Sequence, residues 1–144
     1  MQDLWIEVLL WVFLAVNIIT DIKTREINVA WSVIFGIIGI IVFIISRDRD
    51  WVSLVSGIAI GVYVLAFAKV TKESIGLGDG FMVTAVGIWM GGARTLAVLM
   101  GGFVAAAVFG LIRICTGKAN GKSELAFVPF FTFSYIVLYF GGFR

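Results

Sequence analysis

The sequence predicts an all-helical membrane protein with six transmembrane helices. The chain of 144 residues is 61% hydrophobic and has a mean hydropathy of +1.09, well above the values of soluble domains. Its charged residues stand in short islands between long apolar runs. Backbone groups in lipid must be paired within their own segment, so these runs predict helices and not strands. We expect residues 1–144 to form a single polytopic domain.

Each apolar run is long enough to cross a hydrocarbon core of about 30 Å, which needs roughly 17–25 residues. In chain order the runs are Leu4–Thr20, Val29–Ser46, Trp51–Ala68, Ile75–Gly92, Thr95–Ile112 and Leu125–Gly142. A signal peptide begins with a basic segment, whereas the first run is preceded by Asp3 and has Glu7 near its start. We therefore interpret it as a permanent span.

Small residues indicate how the helices approach one another. Gly57 and Gly61 in the third run, and Gly87 and Gly91 in the fourth, stand four positions apart. This spacing places them on one helical face, where it permits close backbone contact. Gly78, directly before Asp79, predicts a second close approach at the start of the fourth run.

Basic residues predict an N-terminus outside the cell. In that orientation seven basic residues face the cytoplasm and four face outward. The inner set is Lys23, Arg25, Lys69, Lys72, Arg113, Lys118 and Lys122; the outer set is Arg47, Arg49, Arg94 and Arg144. The net charge of only +2 indicates this loop bias and not a nucleic-acid surface.

Few side chains are available for chemistry. The chain has no histidine and one cysteine, Cys115, which excludes Ser-His and Cys-His pairs, His-ligated zinc and CxxC sites. Two carboxylates stand out: Asp21, at the end of the first run, and Asp79, in the Gly-Leu-Gly-Asp segment of residues 76–79 that opens the fourth. The predicted topology puts both at the cytoplasmic surface. The competing interpretation of Asp21 is a surface ion pair with Lys23 or Arg25.

Two carboxylates brought close together cannot both ionise easily, so they share a proton. The ionised member then takes a proton from water while the protonated member polarises a peptide carbonyl. This general acid–base hydrolysis needs no cofactor and no metal, and we expect neither.

Three segments of the chain carry motifs: Gly-Leu-Gly-Asp at residues 76–79, DIKTREIN at residues 21–28, and Phe-Val-Pro-Phe at residues 127–130. The first matches a GxGD signature, the second is similar to a D-x-[KR]-x-x-x-I-P-N segment after a first helix, and the third resembles a PFxPF-like stretch of a last helix. In all three the chain resembles the type IV prepilin peptidases, a family of GxGD intramembrane aspartyl proteases. The resemblance covers essentially the whole chain.

The resemblance implies an aspartyl endopeptidase of the cytoplasmic (inner) membrane that removes the basic leader from prepilin-like precursors. It implies that Asp21 and Asp79 are catalytic. It further implies supporting roles for the motif residues Gly76, Gly78, Lys23, Arg25 and Pro129. The implied partners are a substrate with a basic leader and an apolar helix, and the lipid bilayer.

This chain departs from the family pattern at three points. The family often has I-P-N after its first aspartate, whereas here Ile27 is followed by Asn28 and Val29, so the proline is missing. The family usually has GD-x-K-L at its second aspartate, whereas no lysine follows Asp79 here. These changes bear on substrate range and on the support of the second aspartate. The chain also has no CxxC and starts almost directly with its first span, so we expect a peptidase without methyltransferase activity.

Two other functions remain open from the sequence. A small proton- or cation-coupled carrier would use the two aspartates as ion ligands, although no inverted repeat is evident. A non-catalytic scaffold would bind pilin-like helices without cleaving them. The oligomeric state is not predicted.

Overall fold

The computed structural model describes residues 2–24, 27–46, 50–70, 76–117 and 126–142, and every regular element within them is an α-helix. The helices are α1 (Gln2–Thr24), α2 (Val29–Ile45), α3 (Trp51–Val70), α4 (Leu77–Met90), α5 (Gly92–Cys115) and α6 (Val128–Phe140). The all-helical prediction is confirmed. Three helices are long and apolar enough to cross a membrane, over Leu4–Thr24, Trp51–Val70 and Gly92–Cys115, whereas α2, α4 and α6 are apolar but shorter.

Helix boundaries follow from local sequence. Asn28 caps α2, its side-chain oxygen accepting a hydrogen bond from the Trp31 amide at 3.3 Å. Helix α4 ends at Met90 and is followed by Gly91, whose φ of +79° is accessible mainly to glycine; α5 begins at Gly92. Pro129 lies in the first turn of α6, where its missing N–H costs no helical hydrogen bond. The run predicted over residues 75–92 is therefore split from the next by a single glycine.

Helix α4 is the central helix, with nine of its 14 residues buried. It packs most extensively on α3, where Gly57 and Gly87 face each other so closely that a Cβ on either would collide with the backbone of the other. One turn away, Gly61 lies against Thr84. The close approach predicted from the four-residue spacing of Gly57 and Gly61 is confirmed.

Glycine residues also lie at two further helix–helix interfaces. Gly36 and Gly39 of α2 lie against Ala85, Ile88 and Trp89 of α4, and Gly101 and Gly102 of α5 lie against Ser134 and Phe131 of α6. Helix α1 is different, because it packs chiefly on α6 and only lightly on α4. The buried core that joins these helices includes Leu10, Phe13, Leu14, Met82, Val83, Val98 and Phe131.

Candidate active site

Asp21 lies in the last turn of α1 and is buried, with 5% of its surface exposed. Its Oδ2 accepts a hydrogen bond from the backbone amide of Val128 at 3.0 Å. Val128 is the first residue of α6, so the carboxylate sits at the positive end of that helix, where free N–H groups stabilise an anion. This burial argues against the interpretation of Asp21 as a surface residue paired with Lys23, and Arg25, the other partner considered, lies outside the described residues.

Asp79 is the third residue of α4 and is half-buried. Its amide donates to the Gly76 carbonyl at 3.0 Å, which closes the first turn of the helix. Its carboxylate lies over that turn, with Oδ2 3.3 Å from the position that a Cβ on Gly76 would occupy. A side chain at residue 76 would therefore press on the carboxylate.

The structure brings Asp21 and Asp79 to the same end of the bundle. The two carboxylates are close enough to interact electrostatically, although 57 positions separate them in the sequence. Like charges at short range disfavour ionisation of both groups.

Gly78 explains how the start of α4 reaches this position. An added Cβ at Gly78 would stand 2.7 Å from the Cβ of Ile27 and 3.2 Å from the Ile27 carbonyl oxygen. Ile27 belongs to the connection between α1 and α2, so only glycine lets α4 begin against the segment that follows Asp21. The predicted close approach at Gly78 is confirmed.

One protein family matches this chain. The model of the type IV leader peptidase family matches residues 8–111, about 72% of the chain. The chain belongs to this family. Neither the comparison with curated proteins nor that with solved structures gave a match.

The family match covers both aspartates and the Gly-Leu-Gly-Asp segment between residues 76 and 79. Membership in a leader peptidase family implies that the chain is a protease, of the aspartic type found in this family. Helix α6, with Val128 and Pro129, lies beyond the matched residues. The catalytic roles of Asp21 and Asp79 stay predictions.

The supporting residues lie at different distances from the site. Gly76 and Gly78 border Asp79 directly, and Pro129 follows the residue whose amide binds Asp21. Lys23 is exposed in the last turn of α1, where a positive charge is favourable at the helix C-terminus. Arg25 lies outside the described residues.

Sequence reasoning missed the amide of Val128. A backbone donor carries no residue signature, since any residue except proline supplies one. The signal that could have located it is Pro129, because proline in the first helical turn marks the end at which free amides are exposed. The aromatic segment around that proline was recognised, but no contact with Asp21 was inferred from it.

Proposed function

We propose that this chain is a six-span membrane aspartyl endopeptidase that cleaves the basic leader from prepilin-like precursors. The observation that carries the proposal is the placement of Asp21 and Asp79, one buried and one half-buried carboxylate, at the same end of the bundle, where their charges repel each other and both lie within the residues matched by the leader peptidase family. Residues 1–144 would form one peptidase domain, in which the shorter helices α2, α4 and α6 also cross the bilayer.

The reaction is hydrolysis of one peptide bond by water. The ionised aspartate removes a proton from water as the oxygen attacks the carbonyl carbon, and the protonated aspartate donates a hydrogen bond to the carbonyl oxygen. The proton that the first aspartate took from water then passes to the leaving amine. The C–N bond breaks to give a carboxylic acid and an amine. The amide of Val128 occupies one oxygen of Asp21 and so orients the other toward the site.

The substrate class follows from the position of the site. Asp21 and Asp79 lie at the end of the bundle that the distribution of basic residues places at the cytoplasmic surface. A precursor whose apolar helix lies in the bilayer would present the peptide bond at the start of that helix to this level. Its basic leader would remain on the cytoplasmic side of the inner membrane.

The decisive experiment uses the full chain in proteoliposomes with a synthetic precursor that has a short basic leader, glycine before the cut and an apolar helix after it. We expect Asp21→Asn and Asp79→Asn each to lower cleavage by roughly 100-fold or more, because each removes one acid or base function. Mass spectrometry of the product measures the cleavage.

Asp50→Asn is the matched control. Asp50 is exposed at the other end of the bundle, and its Oδ1 accepts from the Val52 amide at 3.2 Å, a bond that asparagine also makes. Full activity in either active-site variant would refute the assignment. Precursor binding without cleavage by the wild type would support the scaffold, and ion flux through the same vesicles without cleavage would support the carrier.

A further inference from the structure

A second polar cluster lies at the end of the bundle away from the aspartates. It consists of Glu7 on α1, Arg94 on α5 and Tyr135 on α6. Glu7 stands 14 positions before Asp21, which corresponds to about 21 Å along the axis of α1. The cluster therefore cannot touch the reacting groups, and the proposed mechanism does not use it.

Both carboxylate oxygens of Glu7 are engaged. Arg94 Nη2 donates to Oε1 at 2.9 Å in an ion pair, and the Tyr135 hydroxyl donates to Oε2. Only 8% of the Glu7 surface is exposed, and the Arg94 Nε is buried without a hydrogen-bond partner in the described part of the chain. A carboxylate so deeply buried is tolerated only when it is charge-paired and hydrogen-bonded, so the three groups are held together.

The aromatic contacts of α1 are less directional. Trp5 packs edge-on against Trp89 at a centroid distance of 6.0 Å, and Phe13 stacks on Phe35 at 4.0 Å. Apolar contacts of this kind tolerate small rotations and shifts of a helix. A carboxylate bound through both oxygens to two other helices does not, because each hydrogen bond has a narrow range of length and angle.

The placement of the two aspartates depends on different helices. Asp79 belongs to α4, which glycine contacts lock to α2 and α3, whereas Asp21 belongs to α1, which packs mainly on α6. Helix α1 is bonded to α6 at both ends, through Asp21 and Val128 and through Glu7 and Tyr135. The Arg94 bond adds a link to α5, which itself packs on α3 and α4.

We propose that Glu7, Arg94 and Tyr135 are positioning residues that fix the height and rotation of α1 and thereby the place of Asp21 relative to Asp79. The inference rests on the proposed peptidase function. A displacement of about 1 Å at a reacting group lowers turnover by as much as 100-fold, so a defect at the far end of α1 is transmitted to the chemistry.

The kinetic test compares Glu7→Gln and Tyr135→Phe with Tyr63→Phe, the same change as Tyr135→Phe at a tyrosine of α3 that is 71% exposed. We expect kcat to fall by about 10-fold or more in both variants with KM unchanged, because the substrate-binding surface is intact while the aspartates are misaligned. Arg94→Gln should show the same loss, and Arg94→Lys should recover part of it because lysine restores the charge.

A distance measurement separates this proposal from the peptidase assignment. Spin labels at Ile22→Cys on α1 and Val70→Cys on α3, both exposed positions, report the placement of α1 in a Cys115→Ser background. The distance distribution should broaden or shift in Glu7→Gln and Tyr135→Phe and stay unchanged in the Tyr63→Phe control.

Unchanged kcat with unchanged label distances in both variants would overturn the proposal. A loss confined to KM, or a loss of folded protein at unchanged distances in the folded fraction, would also overturn it. If the wild type cleaves no precursor, the peptidase assignment fails, and the label distances alone decide whether the cluster positions α1.

Discussion

Asp21 and Asp79 have different surroundings although they meet at one end of the bundle. Asp21 is almost fully buried and is bonded to the first amide of α6, whereas Asp79 is half-buried in the first turn of its own helix. Each carboxylate thus lies at the positive end of a helix, which stabilises a negative charge there. Their mutual repulsion opposes two such charges, so the pair as a whole titrates.

The pH dependence of cleavage should therefore be bell-shaped. Below the lower apparent pKa both carboxylates are protonated and no base remains; above the upper one both are ionised and no acid remains. Measuring kcat across the acidic and neutral range with one precursor checks this, with a parallel measurement of folded protein to exclude acid unfolding. A profile with a single limb would contradict the shared proton.

Glycine residues line the contacts of α4 with α2 and α3. Gly57 and Gly87 bring α3 and α4 together backbone to backbone, a separation that any side chain would increase. Gly36 of α2 also faces α4 but leaves room, since an added Cβ would lie 3.4 Å from the nearest atom, Ile88 Cδ1. A glycine-to-alanine substitution can therefore be compared at a position without room for a methyl group, Gly57, and at one with room, Gly36.

We expect Gly57→Ala to destabilise the fold by about 1–3 kcal/mol, because the new methyl group forces α3 away from α4. Gly36→Ala should be neutral or stabilising by up to about 1 kcal/mol, since alanine is the better helix former and meets only ordinary contacts. Denaturant titration in detergent micelles measures both free energies of unfolding. Equal destabilisation by the two substitutions would show that the α3–α4 contact is not limiting.

Local sequence patterns predicted those features of the fold and of the candidate site that depend on residue type. Charge islands located all six helices, the four-residue spacing of Gly57 and Gly61 indicated their packing, and the Gly-Leu-Gly-Asp segment singled out Asp79. The Val128 amide and the Glu7–Arg94–Tyr135 cluster were missed. A backbone donor looks like any other residue, and a carboxylate on α1 does not reveal that its partners are 87 and 128 positions away.

The two ends of the helix bundle carry different polar groups. One end carries the two aspartates, and the other carries the buried ion pair of Glu7 with Arg94. In the sequence, Arg94 counts only as one of four outward-facing basic residues and Glu7 only as an acidic residue of the first run. The family match and the three long apolar helices support a membrane protein, and its orientation remains the proposal drawn from basic residues.

Cys115 tests that orientation directly. It is the only cysteine in the chain and is exposed at the end of α5, where the proposed topology puts it on the cytoplasmic side. A membrane-impermeant thiol reagent should label it only in inverted vesicles, and Asp50→Cys in a Cys115→Ser background should be labelled only in right-side-out vesicles. The reverse pattern would place both aspartates outside the cell.

The bond between Asp21 and the amide of Val128 has a consequence for the order of synthesis. A ribosome makes both aspartates and all of helices α1 to α5 before it reaches residue 128, 107 positions after Asp21. Until α6 has been made, Asp21 lacks this donor. The nascent chain that ends before α6 therefore carries an incomplete pair, and the proposed proteolytic site is completed only after α6 has been synthesised.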